Sequence, residues 1–316
     1  MRQLLGALCL APLLALAQAY PSKPVHIVVP FGPSGVADIT TRTIAPKLGD
    51  ELGQPIVVDN LPGAGGIRAA EAVAHAEPDG HTLLLLTNGN AVSQALFKSL
   101  PYDPANDFAM ISTVGYFSMV IVTGAQSQLK TLRDVITTAK ANPGKMNIGS
   151  ITPGGTQHLA AELFRSTAGI DALVVPHKTT GEVIVAVRNG NVDLAVDFIA
   201  PLISAIRSGQ LRALAVTAAK RFPGLADVPT VIEAGMPGYD VASWNALAAP
   251  AKTPRPVIDK VRVALIKALA APEVQKRYAD LGVEGRASTP EELKDFYAAE
   301  TRRWTRVVER AGIPKQ

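Results

Sequence analysis

Cysteine is nearly absent from this sequence of 316 residues. The one thiol, Cys9, lies in an apolar stretch at the amino end, so removal of that stretch leaves no thiol at all. A chain without cysteine has no disulfides, no thiolate metal ligands and no cysteine nucleophile. The roughly 300 residues that follow the stretch are still long enough to bury hydrophobic cores, and their length predicts two domains.

Concentrated charge and long apolar runs are also missing. The formal net charge is +4, and the 31 lysines and arginines are scattered along the chain instead of clustered. Aromatic residues make up only 5% of the sequence and do not interleave with basic residues as they do in nucleic-acid-binding surfaces. Beyond the amino end, no apolar run approaches the ~20 residues that a membrane-spanning helix needs. We therefore expect no nucleic-acid partner and a soluble mature chain.

The motifs of common enzymes are incomplete. Residues 32–35 (Gly-Pro-Ser-Gly) lack the spacing of a hydrolase nucleophile elbow. Residues 63–68 follow a strand as a dinucleotide-binding loop does, but Arg68 stands where that loop requires glycine. Gly144-Lys145 lacks the remainder of a phosphate loop. We therefore predict no catalytic residues, no cofactor and a protein that is not an enzyme.

Metal-ligand spacing is lacking as well. None of the five histidines stands at metal-ligand spacing from another histidine or from a cysteine. His75 and His81 flank a turn and are expected at the surface. The sequence therefore predicts no metal site.

The amino end has the three parts of a secretory signal. Arg2 gives it a positive start, residues 4–16 form an apolar core, and Ala17-Gln18-Ala19 supplies the small residues that signal peptidase recognises. The apolar core is shorter than a membrane-spanning helix, which argues against a retained anchor. We predict that residues 1–19 are a cleavable signal peptide and that the mature protein works in the periplasm.

Short β-branched runs alternate with helical segments in two separate series. The first series has strands at 26–30, 56–59 and 82–87, with helices between them. The second has strands at 146–149, 173–176, 192–196 and 211–217, again with helices between them. Such alternation is typical of mostly parallel sheets covered by helices. We therefore predict an α/β protein with two doubly wound lobes.

The last third of the chain contains one strand, at 245–249, and two long helical runs, at 257–270 and 289–311. Thr289 and Glu292 form a capping box around Pro290, which predicts where the last helix begins. These helices are amphipathic and need a sheet to pack on. We expect them to complete the first lobe, which is then discontinuous in sequence.

Five loops have the composition of a ligand site. Each lies between the end of a strand and the start of a helix and carries glycine, hydroxyl or acidic residues; they are residues 31–38, 87–90, 150–156 and 176–182 and the position of Asp197. Ligands bind open parallel sheets at the carboxyl ends of the strands, and the free N–H groups of a helix start favour an anion such as a carboxylate. The candidate ligand-binding residues are Phe31, Gly32, Pro33, Ser34, Gly35, Val36, Ala37, Asp38, Thr87, Asn88, Ser150, Thr152, Gly155, Thr156, His177, Thr179 and Asp197.

Several candidates also have a purely structural interpretation. Asp38 stands in a first helical turn, where a carboxylate complements the helix dipole. Thr179 and Glu182 fit a capping box, so the Thr179 hydroxyl either caps a helix or binds ligand. Asp197 either binds a ligand amine or anchors a loop, and both interpretations stay open. Trp244 is expected in the core or at a hinge instead of as a stacking surface.

A series of short motifs runs through the chain in order: Ile27-Val-Val-Pro-Phe-Gly-Pro, Leu52-Gly-Gln-Pro-Ile-Val-Val-Asp-Asn-Leu-Pro-Gly-Ala-Gly-Gly66, Pro78-Asp-Gly-His, Leu100-Pro-Tyr-Asp-Pro, Gly155-Thr-Gln-His-Leu-Ala160, Leu211-Arg-Ala-Leu-Ala-Val-Thr217 and Glu233-Ala-Gly-Met-Pro-Gly238. Together they resemble the extracytoplasmic solute receptors of tripartite tricarboxylate transporters, also called the Bug family. The motifs extend over essentially the whole chain after the signal.

The resemblance implies a type II periplasmic binding-protein fold, in which two lobes joined by crossing strands close on a ligand between them. Lobe 1 would comprise residues 20–122 and 243–316, and lobe 2 residues 123–242, with crossings near 119–123 and 241–246. A monomer is expected that binds a small organic acid or carboxylated amino acid and delivers it to a membrane permease. The alternative is a receptor that presents to the periplasmic sensor domain of a signalling system.

Two departures from the family pattern lie in the candidate loops. The family usually has Tyr-Lys-Gly where this chain has His177-Lys178-Thr179. Residues 34–37 (Ser-Gly-Val-Ala) replace a version that is richer in glycine and hydroxyl groups. Both departures change side chains that face the expected cleft, so the identity of the bound acid does not follow from the resemblance.

Overall fold

The computed structural model describes residues 20–33, 35–151 and 155–316. The predicted signal peptide (1–19) and two candidate ligand-binding residues, Ser34 and Thr152, lie outside the described residues. The strands are β1 (Val25–Val29), β2 (Ile56–Asn60), β3 (Thr82–Thr87), β4 (Phe108–Gly124), β5 (Met146–Ile151), β6 (Ala172–His177), β7 (Leu194–Phe198), β8 (Leu211–Val216), β9 (Ala242–Pro250) and β10 (Val283–Gly285). The helices are α1 (Val36–Leu52), α2 (Ile67–Ala74), α3 (Asn88–Leu96), α4 (Leu132–Ala141), α5 (Thr156–Ala168), α6 (Thr180–Arg188), α7 (Ile199–Arg207), α8 (Arg255–Ala270), α9 (Pro272–Asp280) and α10 (Pro290–Arg310).

The strands form two α/β lobes that share β4. In the first lobe the order is β2-β1-β3-β9-β4, with β1 parallel to both β2 and β3. In the second, β5 lies parallel to β6 and β7, and β7 pairs antiparallel with β4. The order and the helices between the strands confirm the predicted α/β class.

One long strand, β4, crosses from lobe to lobe. Its residues from Phe108 to Ser118 pair with β9, and those from Met119 onward pair with β7 and β8. The change of partners falls at the start of the predicted crossing at 119–123. The lobe boundaries after residues 122 and 242 stay a prediction.

The strand directions bring the two ligand-binding edges together. The last residue of β3, Thr87, pairs with Asn245 of β9, and Asn245 pairs with Gly115 of β4. The end of β7, Phe198, pairs with Met119 of the same strand β4 but approaches it from the opposite direction. The carboxyl ends of the parallel strands in the two lobes therefore face each other across the middle of β4.

The apolar run of β3 is buried on both faces of the sheet. Leu83 and Leu85 pack in one hydrophobic cluster with the inner faces of α1 and α8, whereas Leu84 and Leu86 pack in another with α2 and α3. Continuous apolar strands of this kind are expected where helices cover both sides of a parallel sheet. Within the described residues, no helix combines the length and apolarity needed to cross a membrane.

His81 is a correction to the sequence prediction. His75 is exposed as expected, but His81 is buried. The ring centroids of Tyr20 and His81 are 5.1 Å apart, and the His81 Nε2 accepts a hydrogen bond from the Ser22 N–H at 3.2 Å. The segment from Tyr20 to Ser22 therefore covers this histidine, which a local turn pattern could not indicate.

The predicted capping box at the start of α10 is present and supplies a test. Glu292 N–H donates to the Thr289 Oγ1 at 3.1 Å, and Thr289 N–H donates to the Glu292 carboxylate at 2.8 Å. We expect Thr289→Ala to lower the free energy of unfolding by about 1 kcal/mol, measured by urea denaturation, because an orphan helix N–H loses its acceptor. Thr305→Ala is the matched control within the same helix and should be neutral or slightly stabilising. Equal losses for both variants would contradict a capping role.

Candidate functional site

The first candidate loop connects β1 to α1, and Asp38 stabilises it through Asn60. The buried Asp38 Oδ1 accepts hydrogen bonds from Arg42 Nε and Asn60 Nδ2, both at 2.9 Å. The Asn60 amide also donates to the Phe31 carbonyl at 2.9 Å, while the Phe31 ring is 43% exposed. Gly35, at the N-cap, has no side chain to satisfy the first N–H groups of α1. Val36 and Ala37 form the first turn of α1, and Gly32 and Pro33 the approach to it.

The second loop is short and leads directly from β3 into α3. Thr87 caps the helix in a reciprocal arrangement with Asn90, whose side chain accepts from the Thr87 N–H at 2.9 Å. Asn88 is the first helical residue and is fully buried. Thr87 therefore caps its own helix, whereas the Asn88 amide points toward Thr156 of the other lobe.

In the second lobe, β5 leads to α5 through residues 150–156. Gly155 is the N-cap of α5 and, like Gly35, provides no side-chain acceptor. The Ser150 hydroxyl, at the end of β5, is buried and has no hydrogen-bond partner within the described part of the chain. A buried hydroxyl without a partner costs about 1–3 kcal/mol, which a ligand or a water could recover.

The loop between β6 and α6 is organised by its own helix. Thr179 is the N-cap of α6, and its hydroxyl accepts a hydrogen bond from the Glu182 N–H at 3.3 Å. The Glu182 carboxylate accepts from the Lys178 N–H at 2.9 Å. The His177 Nδ1 lies 3.1 Å from the Val175 carbonyl oxygen. The capping interpretation of Thr179 is therefore confirmed, and its contact with a ligand stays a prediction.

Asp197 joins three structural elements of the second lobe. Its Oδ1 accepts from the Gln157 amide at 3.1 Å and from the Phe198 N–H at 2.7 Å, and its Oδ2 accepts from the Thr180 hydroxyl at 2.6 Å. The carboxylate is fully buried. Burial raises the pKa of Asp197, and the hydrogen bonds from Thr180, Gln157 and Phe198 partly oppose that rise. The loop-anchoring interpretation of Asp197 is the one that these contacts support, because they fix the starts of α5 and α6.

The raised pKa of Asp197 predicts a pH dependence. In the window above the ordinary aspartate value, the folded protein retains a proton that the unfolded chain has lost, so the stability from this group falls as pH rises through the folded pKa. Asp197→Asn lacks this contribution. We expect the free energy of unfolding of the wild type minus that of the variant to be larger at about pH 4.5 than at about pH 8. Urea titrations at both pH values measure it, and a difference that grows with pH would contradict the assignment.

A direct hydrogen bond connects the two lobes at the cleft. The Asn88 amide in α3 donates to the Thr156 Oγ1 in α5 at 3.0 Å. Asn88 is itself oriented by the Trp304 indole N–H, which donates to the Asn88 Oδ1 at 2.7 Å. Two candidates from loops that are 68 residues apart in sequence are thus in contact. The arrangement brings the starts of α3 and α5 to the same point between the lobes.

A buried network continues from this contact into the core. Glu300 Oε2 accepts from the indole N–H groups of Trp304 at 3.2 Å and Trp244 at 3.3 Å. Trp244 is fully buried on β9 and packs against the rings of Phe296 and Tyr297, which confirms its expected role in the core. The network links the crossing strand β9 to the cleft residue Asn88.

Sequence reasoning missed four residues that organise the site: Gln157, Thr180, Glu300 and Trp304. The first two directly follow the candidates Thr156 and Thr179, so extending each helix start by one residue would have found them. Glu300 and Trp304 are more than 200 residues from Asn88 in the chain, and no local pattern indicates their position.

Other surfaces do not resemble the candidate site. A groove of about 660 Å³ on the outer side of lobe 1 is lined by residues of α1 and β2, among them Pro46, Gln54 and Ile56, and lies outside the candidate loops. Among the described residues, no group of three or more histidine, cysteine or acidic side chains is arranged to hold a metal ion.

Comparison with known proteins agrees with the fold. The profile of the tripartite tricarboxylate transporter family receptor matches residues 40–313. The structure of periplasmic binding protein BugD is 33% identical, with a TM-score of 0.79, and the match covers 94% of this chain and 100% of BugD. A structure from R. palustris with adipate is 31% identical, with a TM-score of 0.81 and coverage of 94% of this chain and 100% of its own. MatC from Rhodopseudomonas palustris with bound malate is 33% identical, with a TM-score of 0.77 and coverage of 92% and 100%.

These matches have one common function, solute binding, and not enzymatic turnover. The family match begins at residue 40, after the first candidate loop, and includes the other four loops, while the structural matches extend over most of the chain. The chain therefore belongs to the tripartite tricarboxylate transporter receptor family of periplasmic solute-binding proteins, which includes the Bug proteins.

Proposed function

We propose that this receptor binds a small carboxylate between its two lobes by lobe closure. The observation that carries the proposal is the convergence of helix starts from both lobes, joined by the hydrogen bond from Asn88 to Thr156. The lobes are residues 20–122 with 243–316, and residues 123–242. The cleft between them contains the candidate loops, including the described residues Phe31, Thr87, Ser150, His177 and Asp197.

The chemistry of the cleft favours an anion. Gly35 and Gly155 leave the first N–H groups of α1 and α5 without side-chain acceptors, and a helix start carries a partial positive charge. A carboxylate can accept from several such donors at once. The Ser150 hydroxyl offers one further donor. Two related structures contain the dicarboxylates adipate and malate, which supports the same ligand class for this chain.

The protein works in the periplasm in this proposal, after cleavage of residues 1–19. It acts as a monomer and delivers the acid to a membrane permease of the tripartite tricarboxylate type. Ligand shifts the lobes toward the closed state only as far as it binds that state more tightly than the open one. The permease would then recognise the surface that closure creates.

Ligand binding is tested on the mature chain. Native mass spectrometry of freshly purified protein should detect a bound small acid, and thermal-shift screening should find stabilisation by mono- or dicarboxylates. Isothermal titration with the best acids then gives the stoichiometry, which should be one. Stabilisation by sugars or metal ions alone would contradict the proposal.

Delivery needs a separate measurement. Deleting the gene should abolish uptake of the radiolabelled acid by intact cells, and the wild-type gene should restore it. Unchanged uptake, together with loss of a transcriptional response to the acid, would instead indicate a receptor for a sensor protein.

A further inference from the structure

The acidic side chains of the candidate loops are engaged within the protein. The five loops contain three such residues, Asp38, Glu182 and Asp197. Asp197 uses both carboxylate oxygens, accepting from Gln157, Thr180 and the Phe198 N–H, and is fully buried. The three donors come from α5, α6 and β7, so the carboxylate holds the lobe 2 side of the cleft together.

Asp38 is also buried and engaged, whereas Glu182 is exposed. Asp38 accepts from Arg42 and Asn60 and is only 2% exposed. The Arg42 guanidinium forms an ion pair with this carboxylate, so its negative charge is already matched. Glu182 accepts from the Lys178 N–H at the start of α6. Each carboxylate therefore supports the backbone of a loop.

The two buried carboxylates of these loops, Asp38 and Asp197, are consequently committed to protein donors, while the helix starts beside them offer hydrogen-bond donors. An ammonium group has three donors and no acceptor, and moving it out of water is costly unless anions or several oxygens receive it. A plain carboxylic acid makes no such demand. The helix starts satisfy its carboxylate, while an α-ammonium group would face their partial positive charge.

We propose that this receptor selects unaminated carboxylic acids and discriminates against the corresponding amino acids, an inference that rests on the carboxylate-receptor function above. The residues that enforce the selection are Asp197 and Asp38. They do so by being committed to protein donors, and not by contact with the ligand. Within the family, the receptor would then serve organic acids and exclude carboxylated amino acids.

Matched pairs of ligands test the selection. The pairs differ only in a 2-amino group: propionate and alanine, succinate and aspartate, glutarate and glutamate, and adipate and 2-aminoadipate. Isothermal titration of the mature chain should give at least about tenfold tighter binding for the unaminated member of any pair that binds, equivalent to about 1.4 kcal/mol. An amino acid that binds as tightly as its partner, or more tightly, would overturn the inference while leaving the carboxylate receptor intact. If no acid binds in this panel or in the wider screen, the proposed function itself fails.

Asp197→Asn separates an anchoring role from ammonium recognition. The asparagine oxygen can still accept from Gln157 and the Phe198 N–H, and its amide N–H can donate to the Thr180 Oγ1. The lobe should therefore remain folded, and circular dichroism checks this. If Asp197 only anchors loops, both members of a pair should change in affinity by the same factor. A selective loss for the amino acid would show that Asp197 receives an ammonium group and would overturn the inference. Asp193→Asn is the matched control, since Asp193 precedes β7 at the end away from the cleft and accepts from the Asn147 N–H; it should leave both affinities unchanged.

Discussion

Replacing Trp304 by alanine is expected to lower the free energy of unfolding by about 3–5 kcal/mol. The indole is fully buried, and its loss leaves a large cavity where α10 packs against α3. The substitution also removes the N–H that Asn88 and Glu300 share at 2.7 and 3.2 Å. Because Glu300 is buried, a carboxylate with fewer donors adds to the cost. Urea denaturation followed by far-UV circular dichroism measures the change without relying on the missing fluorophore.

Trp304→Phe distinguishes the packing contribution from the hydrogen bond. Phenylalanine retains most of the aromatic bulk but has no N–H, so we expect a smaller loss of about 1–3 kcal/mol. Expressed as a fraction of the effect of Trp304→Ala, the loss of acid binding in Trp304→Phe should be larger than the loss of stability. The reason is that the Asn88 amide loses the partner that orients it in both variants. Alanine and phenylalanine variants within about 1 kcal/mol of the wild type would contradict the assigned role of Trp304.

Thr217→Val should be the second most informative substitution. Thr217 follows β8 and is fully buried where the connections between the lobes meet. Its hydroxyl donates to the Val241 carbonyl at 2.6 Å and accepts from the Met119 N–H at 3.2 Å. Its own backbone also bonds both segments, through Met119 O and Val241 N, each at 2.9 Å. One side chain thus ties β4 to the segment that enters β9.

Valine keeps the shape of threonine but has no hydroxyl. The Met119 N–H therefore loses an acceptor, and the Val241 carbonyl loses a donor. We expect a loss of about 1–3 kcal/mol in the free energy of unfolding, measured by urea denaturation. Thr217→Ser retains the hydroxyl and should recover most of the difference, apart from the lost methyl group. If serine and valine destabilise equally, packing and not the hydrogen bonds accounts for the role of Thr217.

The sequence was sufficient to predict the elements with strong local patterns. β3 begins and ends at the predicted residues, and the bounds of α8 and α10 differ from the predicted helical runs by at most two residues. β3 is a continuous apolar run, and the two helices have regular apolar spacing. The receptor function and the α/β class were confirmed as well, by the family match and by structures that cover the chain.

The long strand β4 was not predicted over most of its length. Its first part contains Ser112, Thr113 and Gly115 among apolar residues, so neither alternation nor a continuous apolar run is visible. The polar groups are buried but satisfied from a distance: Thr113 donates to the Arg286 carbonyl at 2.6 Å, and the Ser112 hydroxyl accepts from the Ser288 N–H at 2.9 Å. The polar residues of this strand are satisfied by partners more than 170 residues away in sequence, so no local pattern predicts the strand.

For the candidate site, the sequence indicated the loops better than the roles within them. Strand ends followed by glycine and hydroxyl residues marked four loops that each contain a helix start, at Val36, Asn88, Thr156 and Thr180. Whether Asp197 binds a ligand or anchors loops depended on Gln157 and Thr180, whose amide and hydroxyl reach it only in the folded lobe. Ligand contact by the candidate residues stays a prediction.

The uninterrupted course of β4 has a consequence for how this molecule could be divided. Cutting the chain between the lobes would split one strand of 17 residues and leave each fragment with an unpaired edge. Neither half should be obtainable as an independent folded fragment, and exposed edges of this kind would favour aggregation. Heat should accordingly melt both lobes in one cooperative transition, because one hydrophobic cluster contains residues of both lobes even though each lobe has its own helices.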